Sequence, residues 1–178
     1  MTDPLAPLPL ATLTSGSHRL KADAALRAEI AERLGLVSLD RFIVDYRIER
    51  DGDLVHVEGR MEATSEQACV ATGDPVLETL DEKFAFDFRP VPATGSEEEE
   101  IELEADEMDT IFHDGREIAI GDALVDTLSL SLDPWPRVDD ADARLRAAGV
   151  KTEEEAGAFG ALAGLKKRLE AGKDASGD

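Results

Sequence analysis

The sequence predicts an α+β fold: an antiparallel β-sheet, open or barrel-like, flanked by helices, with a flexible C-terminal tail that carries a short helix. Three observations predict it. Apolar residues recur at every second position in three central segments, they recur about every fourth position in segments on either side, and an Asp51-Gly52 pair sits between the first two alternating runs. A period of two sends side chains to alternate faces of a strand, and a period near four lines them along one face of a helix.

Met1 to Ser17 is rich in Pro, Leu and Thr without a period and reads as an extended segment, residues 1–17. Asp23 precedes Leu26, Ile30 and Leu34 as a helix cap, and Gly35 supplies the stop. Phe42, Val44, Tyr46 and Ile48 then alternate with polar residues, and Val55, Val57, Gly59 and Met61 continue the alternation beyond Asp51-Gly52. An Asp-Gly pair takes the positive φ of a tight hairpin turn at low cost. Cys69 and Val70 end an extended segment, Thr72-Gly73-Asp74-Pro75 turns the chain, and Leu80, Phe84, Phe86 and Phe88 give a third strand.

Ile101 and Leu103 alternate with glutamates, the pattern of an edge strand guarded by like charge. His113-Asp114-Gly115-Arg116 reads as a turn. Ile118 and Ile120 lead into a helix with Leu124, Leu128 and Leu132 on one side, Asp122 or a neighbour as its cap, and Pro134 as its end. The core domain is therefore placed at residues 18–137. Residues 138–178 follow as an acidic, Ala-rich linker with little to bury and a C-terminal helical motif, expected to be flexible from about Asp139. Thr152 to Glu155 fits a capping box ahead of Phe159, Leu162, Leu165 and Leu169. Gly157, Gly160 and Gly164 interrupt that stretch, each at a cost of about 0.8–1 kcal/mol relative to alanine, so the helix is expected to form only against a surface.

The 178 residues carry a formal net charge of -21, and from Glu97 to Asp142 seventeen acids face only Arg116 and Arg137. Such an excess reads either as a solvated, solubilising surface or as a field that repels RNA, whose binding depends on phosphate contacts, and attracts a basic protein. No apolar run approaches a membrane span, the N-terminus lacks the basic start of a signal peptide, and Cys69 has no second cysteine to pair with. From these features a cytoplasmic protein is expected.

Few residues suggest chemistry. His18, His56, His113 and Cys69 lack ligand spacing, so no metal is expected, and the three histidines read as surface residues. No glycine loop cradles a phosphate, no carboxylate pair stands out from the acidic background, and Cys69 reads as a half-buried strand cysteine. Neither catalytic residues nor a cofactor are assigned. Two features point to a partner. Pro134-Trp135-Pro136-Arg137 holds the only tryptophan in a rigid frame, as a cap on the core or as an aromatic contact for a partner together with Arg137. In the tail, Phe159, Leu162 and Leu165 run into Lys166 and Lys167, either as a helix packed on its own domain or as a linear motif that folds when bound.

The hairpin region, the run Cys69-Val-Ala-Thr72-Gly-Asp-Pro75, the phenylalanine strand, the acidic stretch Glu97 to Asp109, the helix approach Glu117 to Leu132 and Asp133-Pro134 together resemble the YceD-like family. These are the large ribosomal RNA subunit accumulation proteins of bacteria and plastids. Gly157-Ala158-Phe159-Gly-Ala-Leu162-Ala-Gly-Leu165-Lys166 is similar to the family's closing Asn-Pro-Phe-x-x-Leu-x-x-Leu-Lys, with Asn-Pro replaced. The resemblance spans about Phe42 to Leu169. Many members carry C-x-x-C where this chain has Cys69 and Thr72, and a further Cys or His where it has Trp135, so the zinc site of such relatives is not expected here. The resemblance implies a non-catalytic accessory factor for large-subunit ribosomal RNA accumulation and ribosome assembly. Its implied partner is a basic ribosomal protein or a pre-ribosomal particle. An RNA-binding module with a basic face of Arg27, Arg33, Arg41, Arg47 and Arg50 is the alternative, disfavoured by net charge, and a carboxylate-dependent hydrolase is a distant third.

Overall fold

The computed structural model describes residues 4–91 and 109–151, which fall into two units. Of the described residues, the first unit takes 4–68, 75–91 and 109–134, and the second joins the Cys69–Asp74 loop to 135–151.

In the first unit, β1 (Leu8–Pro9) and a short 3-10 turn precede β2 (Gly16–Lys21) and helix α1 (Ala24–Leu34). The Asp23 carboxylate accepts from the Leu26 amide at 2.9 Å, and Gly35, at φ 67°, sends its N–H back to the Ala31 and Glu32 carbonyls. The long strands β3 (Ser38–Asp51), β4 (Leu54–Ala68) and β5 (Pro75–Pro90) form a meander. Gly52 takes φ 60° in the first turn, as the Asp-Gly pair requires. β3 and β4 pair from Ser38↔Glu66 to Asp51↔Leu54 with one irregularity between Leu39 and Arg41. β4 and β5 pair without a break from Val55↔Phe88 to Ala68↔Pro75. β6 (Thr110–His113), β7 (Glu117–Ile118) and α2 (Ile120–Ser131) follow.

The five-stranded sheet has the order β2-β3-β4-β5-β6. It is open rather than closed into a barrel, and its last pairing, β5 with β6, is parallel, from Asp87↔Thr110 to Pro90↔His113. One face buries Phe42, Val44, Ile48, Val55, Val57, Met61, Phe86 and Phe88 in a cluster with Leu26 and Ile30 of α1 and with Leu124, Val125 and Leu128 of α2. Each such side chain contributes about 1.5–3 kcal/mol on burial.

Several expectations need correction. Gly16–Lys21, between the expected lead-in and the helix cap, forms a sheet strand. The lead-in itself buries Leu10 and Leu13 and places Leu8 opposite Ile118. The third strand starts at Pro75, ahead of the apolar run, because pairing with β4 carries it through polar positions. Asp122 does not cap α2: the N-cap is Ala119, with no side-chain hydrogen bond, and Asp122 instead pairs with Arg33 at 2.6 Å. His113 is buried at 7% exposure rather than on the surface. The charged edge strand at Ile101 and Leu103 lies outside the described residues. Among those described, no helix is long and apolar enough to cross a membrane.

Candidate partner-binding site

The second unit is built on the Cys69–Asp74 loop. The Cys69 amide donates to the Asp74 carbonyl at 2.7 Å, Gly73 returns its N–H to the Cys69 carbonyl at 2.9 Å, and Gly73 takes φ 79° to close the turn. The segment after Pro134 is fixed to this loop by the Val70 amide, which donates to the Pro136 carbonyl at 2.9 Å. Pro136 is buried, while its neighbours Trp135 and Arg137 are exposed, Trp135 to 73%. In the Pro-Trp-Pro-Arg run it is thus Pro136 that is buried and Trp135 that is exposed. Both sequence-derived candidates that fall on described residues sit on the outside of this frame, and Arg137 pairs with Asp142 at 2.6 Å.

A helix the sequence reading missed completes the unit. α3 (Ala141–Ala147) lies in the stretch read as a flexible linker with little to bury, yet Ala141 is buried. Its Arg144 bridges Asp140 and Asp74, both at 2.8 Å, which ties the helix to the loop. Gly149 at φ 84° lies just beyond its end. The signal was present in the Ala/Arg/Leu composition, since these are the strongest helix formers. The pairing with Asp74, 70 residues away, has no sequence signature.

Cys69 is buried at the start of the loop, beyond the last strand position of β4. The Thr72 side chain hydrogen-bonds to its sulfur and outweighs the effect of burial; backbone hydrogen bonds from Val138, Ala71 and Thr72 add to it, and the thiol falls to about 7. Positions 69 and 72 and the segment after Pro134, where the resemblance places ligands in many relatives, therefore converge in space. The side chains that meet here are one thiol and one hydroxyl. Among the described residues no three His, Cys, Asp or Glu side chains gather as a metal site. Phe159, Leu162, Leu165, Lys166 and Lys167 lie outside the described residues.

The five arginines of the suggested basic face each have an acceptor within the chain. Arg27 donates to the Ala22 carbonyl and Arg50 to the Leu10, Leu13 and Gly52 carbonyls. Arg33 pairs with Asp122 and Asp126, Arg41 with Glu62, and Arg47 with Glu49. Elsewhere in the first unit a shallow groove of about 770 Å³ is lined by residues that include His18, Tyr46, Phe84 and Lys83. The His18 ring stacks on Tyr46 with centroids 5.3 Å apart.

The family model described as "Large ribosomal RNA subunit accumulation protein YceD" matches residues 57–166, more than half of the chain. No curated protein and no solved structure matches.

Proposed function

The chain belongs to the large ribosomal RNA subunit accumulation (YceD) family, and from that premise we propose that it is a non-catalytic accessory factor that supports large-subunit ribosomal RNA through protein contacts during ribosome assembly. Its partner in this reading is a basic ribosomal protein or a pre-ribosomal particle. The carrying observation is the disposition of charge. Arg33, Arg41 and Arg47 are paired with the chain's own carboxylates and Arg27 and Arg50 are engaged by its carbonyls, and the chain carries a formal net charge of -21. Complementary charge speeds encounter and selects basic partners, and it disfavours phosphate contacts. Trp135, held out beside buried Pro136, supplies the aromatic contact such a surface needs, and Phe159, Leu162 and Leu165 with Lys166 and Lys167 supply a second contact.

Affinity purification of the tagged protein from cells, with and without ribonuclease, tests the reading. Large-subunit precursors or a basic ribosomal protein should be retained, and the protein should survive ribonuclease. Trp135→Ala, and separately Phe159→Ala with Leu165→Ala, should each weaken retention about tenfold or more while leaving thermal stability almost unchanged. Retention that vanishes with ribonuclease and falls steeply with salt would favour direct RNA binding, for which the His18–Tyr46 stack in the groove is the supporting feature.

A further inference from the structure

Among the described residues, β5 (Pro75–Pro90) is paired along fourteen residues on one side and along four on the other. β4 covers one edge from Pro75 to Phe88, whereas β6 covers the opposite edge from Asp87 to Pro90. The Asp87 amide donates to the Asp109 carbonyl and the Val91 amide to the His113 carbonyl, so odd-numbered residues of β5 point their backbone toward the β6 side. Within a strand that alternation continues, and residues 77, 79, 81, 83 and 85 direct N–H and C=O groups to an edge that no described strand occupies.

That edge borders a groove. Lys83 to Phe86 form one wall, Ala123, Asp126, Thr127 and Leu130 of α2 form the other, and Asp109 to Ile111 close one end around about 480 Å³. Leu130, though apolar, is 88% exposed. Among the lining residues Asp109 and Asp126, the latter also paired with Arg33, meet the single base Lys83, and the chain as a whole carries a formal net charge of -21. A second copy of so acidic a chain would be repelled.

Resting on the reading that this protein works through protein contacts, we infer that the edge of β5 from Leu77 to Ala85, unpaired among the described residues, is a docking site for an extended basic peptide, which adds as a strand beside β6. Main-chain hydrogen bonds to the five outward residues supply affinity, alternate apolar side chains face Leu130 and α2, and lysines or arginines meet the acids. A disordered basic extension of a partner meets all three requirements.

The probe is a capped ten-residue peptide of alternating lysine and valine, titrated into the full chain. Binding should slow amide exchange at Lys83 and Ala85 and leave amides facing β4 unaffected. N-methylation of the peptide's alternate, edge-facing amides, which leaves its charge intact, should weaken binding at least tenfold. So should Ala85→Pro, because the lost N–H points away from β4 and an edge strand accepts proline. Unchanged exchange at Lys83 and Ala85, equal binding of the N-methylated peptide, or edge amides already protected in the free chain by its own residues 101–108 would each overturn the inference. The two readings separate in cells. If wild type and Ala85→Pro retain large-subunit precursors equally, the edge site is wrong and the functional reading stands. If wild type retains none, the functional reading fails and the peptide titration alone judges the edge.

Discussion

The His113 imidazole donates from Nε2 to the Asp53 carbonyl at 2.8 Å while its Nδ1 accepts from the Gly115 amide at 3.0 Å. Those two bonds specify a neutral ring with the proton on Nε2. They also join β6 to the β3–β4 turn, sixty residues earlier in the chain. His113→Ala leaves the Asp53 carbonyl and the Gly115 amide without this partner at a buried position. A loss of about 1–3 kcal/mol is expected, measured as a lower urea midpoint with an unchanged slope. An unchanged midpoint would show that the ring is not a fastening.

Gly59 faces the core side of β4, where an added Cβ would strike the Asp45 carbonyl oxygen and come within 2.8 Å of Tyr46 Cβ and 2.9 Å of the Phe84 ring. Backbone and a Cβ cannot move aside as a flexible side-chain tip can. Gly59→Ala should therefore destabilise by about 1–3 kcal/mol, even though alanine is ordinarily better tolerated in a strand than glycine. Thermal unfolding of the variant decides it, and a raised melting temperature would refute the close approach.

The opposite sign is expected at Ser65. Its hydroxyl is fully buried and finds no hydrogen-bond partner among the described residues. Ser65→Ala removes a desolvated polar group without opening a large hole and should raise stability by about 1 kcal/mol. A drop in the urea midpoint would reveal a partner for the hydroxyl.

Cys69 makes the fold pH-sensitive in one direction. Its thiol is depressed to about 7 by the Thr72 side chain and nearby backbone groups, while an unfolded chain keeps the ordinary value of ~8.5. Between those values the unfolded state holds the proton and the native state does not. This contribution to stability is therefore fully present above ~8.5 and is lost as pH falls through about 7. Urea midpoints should rise from pH 6.5 to 8.5 more in wild type than in Cys69→Ala, with Thr72→Val in between. Thiolate absorbance should shift to higher pH in Thr72→Val. Coincident titrations of wild type and Thr72→Val would exclude the hydrogen bond as the cause.

What the sequence disclosed was local. Asp23 and Gly35 bound α1 because a cap and a left-handed stop act within one turn, and Asp51-Gly52 set the hairpin because two residues decide it. The features that escaped depend on distant partners. Asp122 looks like a cap until Arg33, 89 residues away, claims its carboxylate. His113 looks like a turn residue until Asp53 is placed against it. The frame around the candidate residues was hidden for the same reason: Trp135 and Arg137 stand out as residue types, but only the Val70–Pro136 bond shows that their segment is fixed to the Cys69 loop. α3 was missed because its stripe is made of alanines, which carry little apolar weight in a periodicity search although they form helices readily.

Leu8 and Pro9 pair with Ile118 and Glu117, and Leu5 lies so close over Gly121 that no side chain fits between them. A chain made from its N-terminus meets this arrangement as a problem of timing. The β3–β4–β5 meander, joined by short turns, can zip together once Pro90 has emerged. The Leu10 amide, which donates to the Arg116 carbonyl, cannot make that bond until the segment before β7 follows, and closing a loop of that span before its contacts exist costs entropy without return. Residues made well before β7 thus find their place only after it, so a nascent chain stalled before Ile118 carries a sheet without its seal. Such an intermediate would be the form most exposed to proteases and to aggregation.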